Sequence, residues 1–232
     1  MTHKIVSLTV ALATLAASAG AQVGFPPERS PYRDVPWRQG VTAVTGWFNA
    51  ASAPAGVGPR SAPMIGVRYD VQLAGPAQLT LRSLFVPTER NVLDPRQRPG
   101  QRALGTRSAQ MLLNDLGISV NLTGDRSWHS LVPVVQFGAG TASDLHPSLD
   151  VGNYSFGTTF ALTLGGGVRW VTGGRLELRA DVTDYLFSYR YPGTYFAATQ
   201  GGDDPVLGVG SPRTRWRHNA GLTIGASWRY RR

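Results

Sequence analysis

The sequence predicts an all-β fold, an eight-stranded antiparallel up-and-down barrel that crosses a membrane with its strands. Three observations predict it. Apolar and polar residues alternate over long segments, the connections between segments are short and long in turn, and aromatic residues gather at segment ends. Within 64–74, for example, Ile65, Val67 and Tyr69 alternate with small or polar residues. Because successive side chains on a strand point to opposite faces, each segment has one apolar and one polar face.

Two segments precede the predicted barrel. Residues 1–21 have the form of a cleavable signal peptide, because a short basic start and an apolar stretch lead to the small residues Ala19-Gly20-Ala21. Residues 22–40 are rich in proline and polar side chains, which is typical of an arm rather than a strand or helix. We therefore expect an exported protein with a periplasmic arm and a barrel over residues 41–232.

Composition narrows the class of protein. The 28 glycines and 16 prolines favour strands and turns, and the absence of cysteine excludes a disulfide framework. The formal net charge is +9, almost entirely from arginine, since Lys4 is the only lysine. These arginines are scattered along the chain rather than clustered on one helix, and export argues against a nucleic-acid partner. Outer-membrane lipids, including the phosphates of lipopolysaccharide, are the expected counter-charges, because arginine pairs with phosphate through two hydrogen bonds.

Eight candidate strands follow one another along the chain. Most reach or exceed the roughly 9–11 residues that a tilted strand needs to cross the hydrocarbon core, whereas strands of soluble domains have typically about 5–6. They cover residues 41–51, 64–74, 77–86, 108–122, 131–141, 156–171, 175–189 and 216–230.

The connections alternate in length, as in an up-and-down barrel with short periplasmic turns and long extracellular loops. This topology also places both ends of the barrel domain in the periplasm. The short connections are 75–76, 123–130 and 172–174, and the long ones are 52–63, 87–107, 142–155 and 190–215.

Aromatic residues are expected to form two girdles at the membrane interfaces. With the strands assigned in this way, the central part of the lipid face carries no charged residue. The orientation of the first strand stays open, since either of its faces could contact lipid. The outer girdle would contain Trp47, Phe48, Phe85, Tyr185, Phe187 and Tyr189, and the inner one Trp170, Trp228 and Tyr230.

Charged residues lie on the polar faces of the strands, which should line the lumen. An eight-stranded barrel has an interior that side chains just fill, and buried charges persist when they are paired. We therefore interpret these residues as a structural network rather than an active site. The network comprises Arg68, Asp70, Arg82, Asp115, Arg169, Glu177, Arg179 and Asp181.

Several segments resemble those of known membrane barrels: Gly165–Trp170, Arg175–Asp181, the closing Gly221–Trp228, and Pro133–Gly140. On the basis of these segments, the chain resembles the small outer-membrane β-barrel family of opacity-type, OmpX-like and OmpA-transmembrane-like proteins. The resemblance implies an outer-membrane location, a monomer, and assembly by the barrel-insertion machinery. Such barrels usually end on an aromatic residue, whereas here Arg231 and Arg232 follow the last one.

Three functions fit such a barrel. We favour a non-enzymatic protein with a structural, envelope-integrity or surface-binding role. A lipid-modifying enzyme is the alternative, because His146-Pro147-Ser148 is similar to the His-x-Ser pair of a lipid A deacylase, and Asp144 or Asp150 could orient the histidine. A narrow pore is the third. The acidic residues near His146 have no spacing that matches a metal-binding loop, so neither a metal nor a cofactor is predicted.

The connection 87–107 is unusually basic, with only Glu89 and Asp94 as acidic residues. Topology places it at the depth of the lipopolysaccharide phosphates. We hypothesise that its arginines bind these headgroups; the alternative is a solvated loop whose arginines only reflect codon bias. They are Arg90, Arg96, Arg98, Arg102 and Arg107.

Overall fold

Eight long strands and two short ones form a single sheet in the computed structural model, which describes residues 30–199, 201–208 and 210–230. The predicted signal peptide lies outside the described residues. No helix in the described ranges is long and apolar enough to cross a membrane. The short strands are β1 (Tyr32–Asp34) and β6 (Arg126–Trp128), and a 3-10 turn covers Gly193–Phe196. The long strands are β2 (Gln39–Asn49), β3 (Ala62–Ala74), β4 (Ala77–Leu93), β5 (Ala103–Asn121), β7 (Leu131–Asp144), β8 (Thr158–Val171), β9 (Leu176–Arg190) and β10 (Thr214–Tyr230).

The long strands close into a barrel. Each pairs antiparallel with its neighbours in chain order, and the last strand pairs with the first over the registers Gln39↔Tyr230 to Asn49↔Ala220. The remaining contact, between β7 and β8, completes the ring. Every long strand therefore has a partner on both sides, which removes the open sheet edges that lipid would not tolerate. The predicted fold class, an eight-stranded antiparallel up-and-down barrel, is confirmed.

Two strands are longer than predicted. The sequence places a loop over 87–107, but β4 continues to Leu93 and β5 begins at Ala103, so the loop is 94–102. Pro87 lacks an N–H group, which disfavours the interior of a sheet. The ladder between β3 and β4 ends at Ile65↔Phe85, so this part of β4 is paired through β5 and tolerates a proline. The other predicted strands differ from the observed ones by a few residues.

The two ends of the barrel differ. At one end the strands are joined by the long loops 50–61, 94–102, 145–157 and 191–213; we call it the long-loop end. The other, which we call the short-turn end, carries the connections 75–76, 122–130 and 172–175.

The described part of the predicted arm contains a strand, which the sequence analysis did not expect. β1 pairs antiparallel with β6, from Tyr32↔Trp128 to Asp34↔Arg126. The side chain of Val35 then packs against a buried cluster of Val132, Val134 and Val171 just inside the barrel. The arm is thereby held across the short-turn end, next to the connection between β5 and β7.

The outer wall is apolar and exposed. Val67 is 55% exposed and Ile224 59% exposed, although both lie in the middle of strands. On β2, Val41, Ala43 and Trp47 point outward while Thr42 and Phe48 are buried, which settles the orientation left open by the sequence. A largely apolar exterior around an interior that contains charged side chains is typical of a transmembrane barrel.

The predicted outer girdle is partly wrong. Tyr185, Phe187 and Tyr189 are buried inside the barrel, as is Phe48. The three residues of β9 share its inward face with Glu177, because all four have odd residue numbers and a strand changes face at every residue. Aromatic side chains do project outward at both ends. They include Trp47 and Trp216 at the long-loop end, and Trp170 and Trp228 at the short-turn end.

Candidate functional site

The half of the lumen nearer the short-turn end contains a network of ionised side chains. The eight residues that the sequence places there all lie inside the barrel and are at most 5% exposed. A ninth, Arg229 on β10, belongs to the same network. The same alternation along the last strand places its side chain in the lumen.

Asp70 is the hub of the network. Its carboxylate accepts from Arg68 Nε at 2.8 Å, from Arg179 Nη1 at 3.1 Å and from the hydroxyl of Thr80 at 2.7 Å. Arg179 in turn contacts Asp181 at 2.7 Å. Because Asp70 is on β3 and Arg179 on β9, these bonds cross part of the lumen and connect two strands that are not neighbours in the sheet.

Glu177 is a second hub. Its carboxylate lies 2.9 Å from Arg169 Nη2 and 2.9 Å from Arg229 Nε. Farther from the short-turn end, Arg82 makes a bidentate contact with Asp115 and donates a hydrogen bond to the hydroxyl of Thr183. Each carboxylate of the network thus has a guanidinium partner. A buried carboxylate paired in this way holds the fold together, since removing either partner would leave an uncompensated charge.

The other half of the lumen is apolar. Phe48, Tyr185, Phe187 and Tyr189 fill it together with apolar side chains of β3, β4 and β5. Phe48 stacks on Phe187 with ring centroids 6.5 Å apart. From the valine cluster at the short-turn end to these aromatic rings, buried side chains occupy the described interior at each level.

The long loops interlock over this aromatic core. Arg90 Nη1 lies 2.9 Å from Asp150 Oδ2, and both side chains are almost completely buried. The guanidinium of Arg90 also lies over the ring of Tyr154, 5.2 Å from its centroid. Tyr154 packs in turn against Tyr191 and Tyr195. Residues of two loops and one strand therefore form a single buried cluster.

Further hydrogen bonds connect the loops at the surface. Arg102 Nη2 donates to the carbonyl of Asp204, which joins loop 94–102 to loop 191–213. The hydroxyl of Thr194 donates to Gly152 O at 2.6 Å, and Asn91 Nδ2 donates to Gly56 O at 2.8 Å. We call the interlocked loops 50–61, 94–102, 145–157 and 191–213 the lid.

Titratable groups of the lid respond to this packing. Burial raises the pKa of the Asp94 carboxyl, but hydrogen bonds from the side chain and backbone of Arg96 outweigh it, so the net pKa is lowered. Burial raises the pKa of Tyr154 well above its ordinary value, with a further contribution from the neighbouring tyrosines. Burial raises the pKa of Tyr195 as well. Both tyrosines are therefore neutral at physiological pH.

The arginines of the predicted headgroup site do not act as one set. Arg90 is 1% exposed and pairs with Asp150, so a headgroup at the surface could not reach it. The sequence predicted a loop at residue 90, whereas Arg90 lies on β4 and its side chain faces inward. Arg96, Arg98 and Arg107 are exposed. Arg102 is half-buried and donates to backbone carbonyls.

The residues of the enzymatic alternative are not arranged as a catalytic triad. Asp144 accepts a hydrogen bond from the backbone N–H of His146, not from its imidazole. The carboxylate of Asp150 is occupied by Arg90 and by the backbone N–H groups of Gly152 and Tyr154. The carbonyl oxygen of Ser148 lies 3.5 Å from Arg90 Nη2. The described residues also include no group of three or more His, Cys, Asp or Glu side chains that could hold a metal ion.

One charged pair lies on the outer wall, where the sequence analysis expected none. Asp184 points outward between Val182 and Leu186, and its Oδ2 is 2.6 Å from His218 Nδ1 on β10. Its side chain is 38% exposed. Here the sequence signal was present, because Asp184 alternates with the lumen residues of β9. The pair reduces the cost of a carboxylate beside lipid.

Comparison with known proteins identifies the fold. No family model matches the sequence, and no curated relative matches it. Among solved structures, the chain is similar to outer membrane protein W of E. coli, with 14% identity, a TM-score of 0.50, and 84% of this chain and 98% of the other covered. It is also similar to OprG from Pseudomonas aeruginosa, with 12% identity, a TM-score of 0.47, and coverage of 86% and 99%. The chain has the fold of the small eight-stranded outer-membrane β-barrels.

Proposed function

We propose that this protein is a non-enzymatic outer-membrane barrel that does not conduct, and that its lid binds anionic lipid headgroups outside the cell. The filled interior carries this proposal. A valine cluster, a paired charge network and an aromatic core follow one another along the barrel. An eight-stranded barrel has little room beyond its own side chains. The role left to such a barrel lies at its surface.

The basic surface of the lid supports the headgroup assignment. Arg96, Arg98, Arg102 and Arg107 lie on or beside the tip of the β4–β5 hairpin. Arg96 is 61% exposed even though it contacts Asp94, so part of its guanidinium remains available for a phosphate. Guanidinium groups suit phosphate because they offer several N–H donors in one plane.

Two measurements test the barrel part of the proposal. The chain has no cysteine, so single cysteines can report orientation. We expect Gln101→Cys in the lid to react with a membrane-impermeant maleimide on intact cells, and Thr172→Cys at the short-turn end to react only after lysis. In planar bilayers the purified protein should give no steady single-channel current. The reverse labelling pattern, or steady conductance, would contradict the proposal.

Lipopolysaccharide binding tests the headgroup part. We expect the triple replacement of Arg96, Arg98 and Arg102 by Gln to weaken binding to the purified barrel, and added salt to weaken binding to the native protein. The matched control replaces Arg33, Arg38 and Arg175 by Gln, because these exposed arginines lie at the short-turn end. Equal binding by both triple variants would show that the lid arginines are not the site.

A further inference from the structure

The barrel wall opens between two strands at the long-loop end. The ladder between β8 and β9 stops at Ala161↔Phe187. Beyond it, β8 stays paired with β7 as far as Thr158, while β9 stays paired with β10 as far as Arg190. A 3.2 Å hydrogen bond between the hydroxyls of Thr159 and Ser188 spans this gap, and the ring of Phe156 packs against Phe187 behind it. The two halves of the wall therefore separate here.

A cleft of about 600 Å³ lies at this opening. We call it the seam cleft. Loop 145–157 forms one side of it, and the buried rings of Phe156 and Tyr191 also line it. Its size is sufficient for a headgroup and the start of an acyl chain, because small-molecule sites have typically about 300–1,000 Å³.

The lining of the seam cleft is amphipathic. Phe160 and Leu149 are 53% and 69% exposed, and they provide an apolar surface. Arg190, Ser188 and Thr214 provide a guanidinium and two hydroxyls. Phe160 points outward from β8, as do the lipid-facing residues Leu162 and Leu164 below it. The apolar side of the cleft is thus continuous with the lipid-facing wall.

The polar side carries uncompensated positive charge. Within the described ranges, no carboxylate lies within 4.0 Å of Arg190 or of Arg213 on the adjoining loop. Behind the cleft, β10 carries Arg215 and Arg217, whose Nε atoms are buried and have no hydrogen-bond partner in the described structure. By contrast, Arg90 pairs with Asp150. The excess charge at this end of the β9–β10 hairpin calls for an anion.

We propose that the seam cleft binds a phosphorylated glycolipid of the outer leaflet, with its phosphate on Arg190 and Thr214 and one acyl chain along Phe160 and Leu149. The assignment to the outer leaflet rests on the orientation given in the proposed function. A soluble anion would use only the polar side of the cleft, and an uncharged lipid only the apolar side. A ligand with a phosphate and an acyl chain uses both.

Native mass spectrometry of the purified full-length barrel in detergent tests this proposal, with diphosphorylated lipid A as the probe. We expect Arg190→Gln to weaken binding about tenfold, which is the usual contribution of a charge-assisted hydrogen bond. Ser188→Leu should also weaken binding, because it fills the cleft without changing a charge. Arg175→Gln is the matched control, since it removes one exposed arginine at the short-turn end. Heat-dependent mobility on a gel verifies that each variant forms a barrel.

The chemistry of the probe separates the possible ligands. Dephosphorylated lipid A should bind the native barrel about as weakly as lipid A binds Arg190→Gln. Binding of lipid A by Arg190→Gln and Ser188→Leu at the native level would overturn the proposal. Displacement of lipid A by an equal concentration of inorganic phosphate would also overturn it, because the acyl chain would then contribute nothing.

The triple variant of Arg96, Arg98 and Arg102 distinguishes this site from the lid surface. If the triple variant loses lipid A and Arg190→Gln retains it, the seam cleft is wrong and the lid site stands. If Arg190→Gln loses lipid A and the triple variant retains it, the seam cleft is supported and the lid site fails.

Discussion

Arg90 on β4 and Asp150 in loop 145–157 form an ion pair of 2.9 Å that is sealed from solvent, with side chains 2% and 1% exposed. In the ladder, Arg90 is opposite Arg107 on β5, so two like charges face each other across the hairpin. Like charges in this arrangement are destabilising. Asp150 compensates the inner one, and this fixes the position of the loop over the aromatic core.

Breaking the Arg90–Asp150 pair should release loop 145–157. We expect Asp150→Asn to destabilise the closed lid by about 3–5 kcal/mol, since it leaves the guanidinium of Arg90 buried without a counter-charge. The double variant Arg90→Met with Asp150→Asn should recover much of the loss. Limited proteolysis of the loop measures the effect. The prediction fails if the single variant resists protease as well as the native protein does.

Removing Glu177 should destabilise the barrel itself. Its carboxylate joins Arg169 and Arg229, and both guanidiniums are 1% exposed. Glu177→Gln keeps the shape but removes the charge, so we expect a loss of several kcal/mol in the free energy of unfolding, about 3–5 by analogy with other buried pairs. Urea unfolding in detergent measures it. Glu89→Gln, an exposed position on β4, should have little effect.

Gly167 should not tolerate a larger residue. A Cβ atom there would lie 2.4 Å from the carbonyl oxygen of Ala180 and 2.4 Å from a carboxylate oxygen of Asp181. We therefore expect Gly167→Ala to lower the free energy of unfolding by about 1–3 kcal/mol, as overpacking does in other cores. Gly208→Ala is the control, because a Cβ at that position has no neighbour within 4 Å. Equal stability of the two variants would show that the wall can move apart.

The outward pair Asp184–His218 should show coupling across the lipid face. His218→Leu alone leaves the carboxylate of Asp184 without its partner, so it should destabilise the barrel. The double variant Asp184→Leu with His218→Leu should be at least as stable as the native protein, because lipid favours the apolar side chains. A double-mutant cycle of unfolding free energies in lipid vesicles gives the coupling. Additive effects would contradict the pairing.

Acid should loosen loop 94–102 through Asp94. The pKa of this carboxyl is lowered from 3.8 in the folded protein. A carboxyl whose pKa is lower in the folded protein stabilises the fold at pH values above its pKa in the unfolded chain. This stabilisation is lost as the pH falls through the pKa of the folded protein. We expect amide exchange in the loop, corrected for its intrinsic pH dependence, to rise below about pH 4. Asp94→Asn should remove this rise, and a rise of the same size in the variant would contradict the assignment.

The sequence by itself determined the barrel. Alternation of apolar and polar residues has a period of two only in a strand, and alternating loop lengths leave few topologies besides up-and-down. The same alternation placed Arg68, Asp70 and Glu177 in the lumen, where the structure has them. The alternation also indicated that Tyr185 and Phe187 point inward, since they lie an even number of residues from Glu177 on the same strand.

Only the tertiary structure decided how the ends of the barrel are closed. The pairing of Arg90 with Asp150 joins residues 60 positions apart, and no local pattern encodes it. The pairing of the arm with β6 could not be predicted, because a strand of three residues is too short to show a period of two. The seam cleft likewise depends on where one ladder stops and its neighbours continue. Such features follow from distances between loops, and those distances are fixed only when the ring of strands has closed.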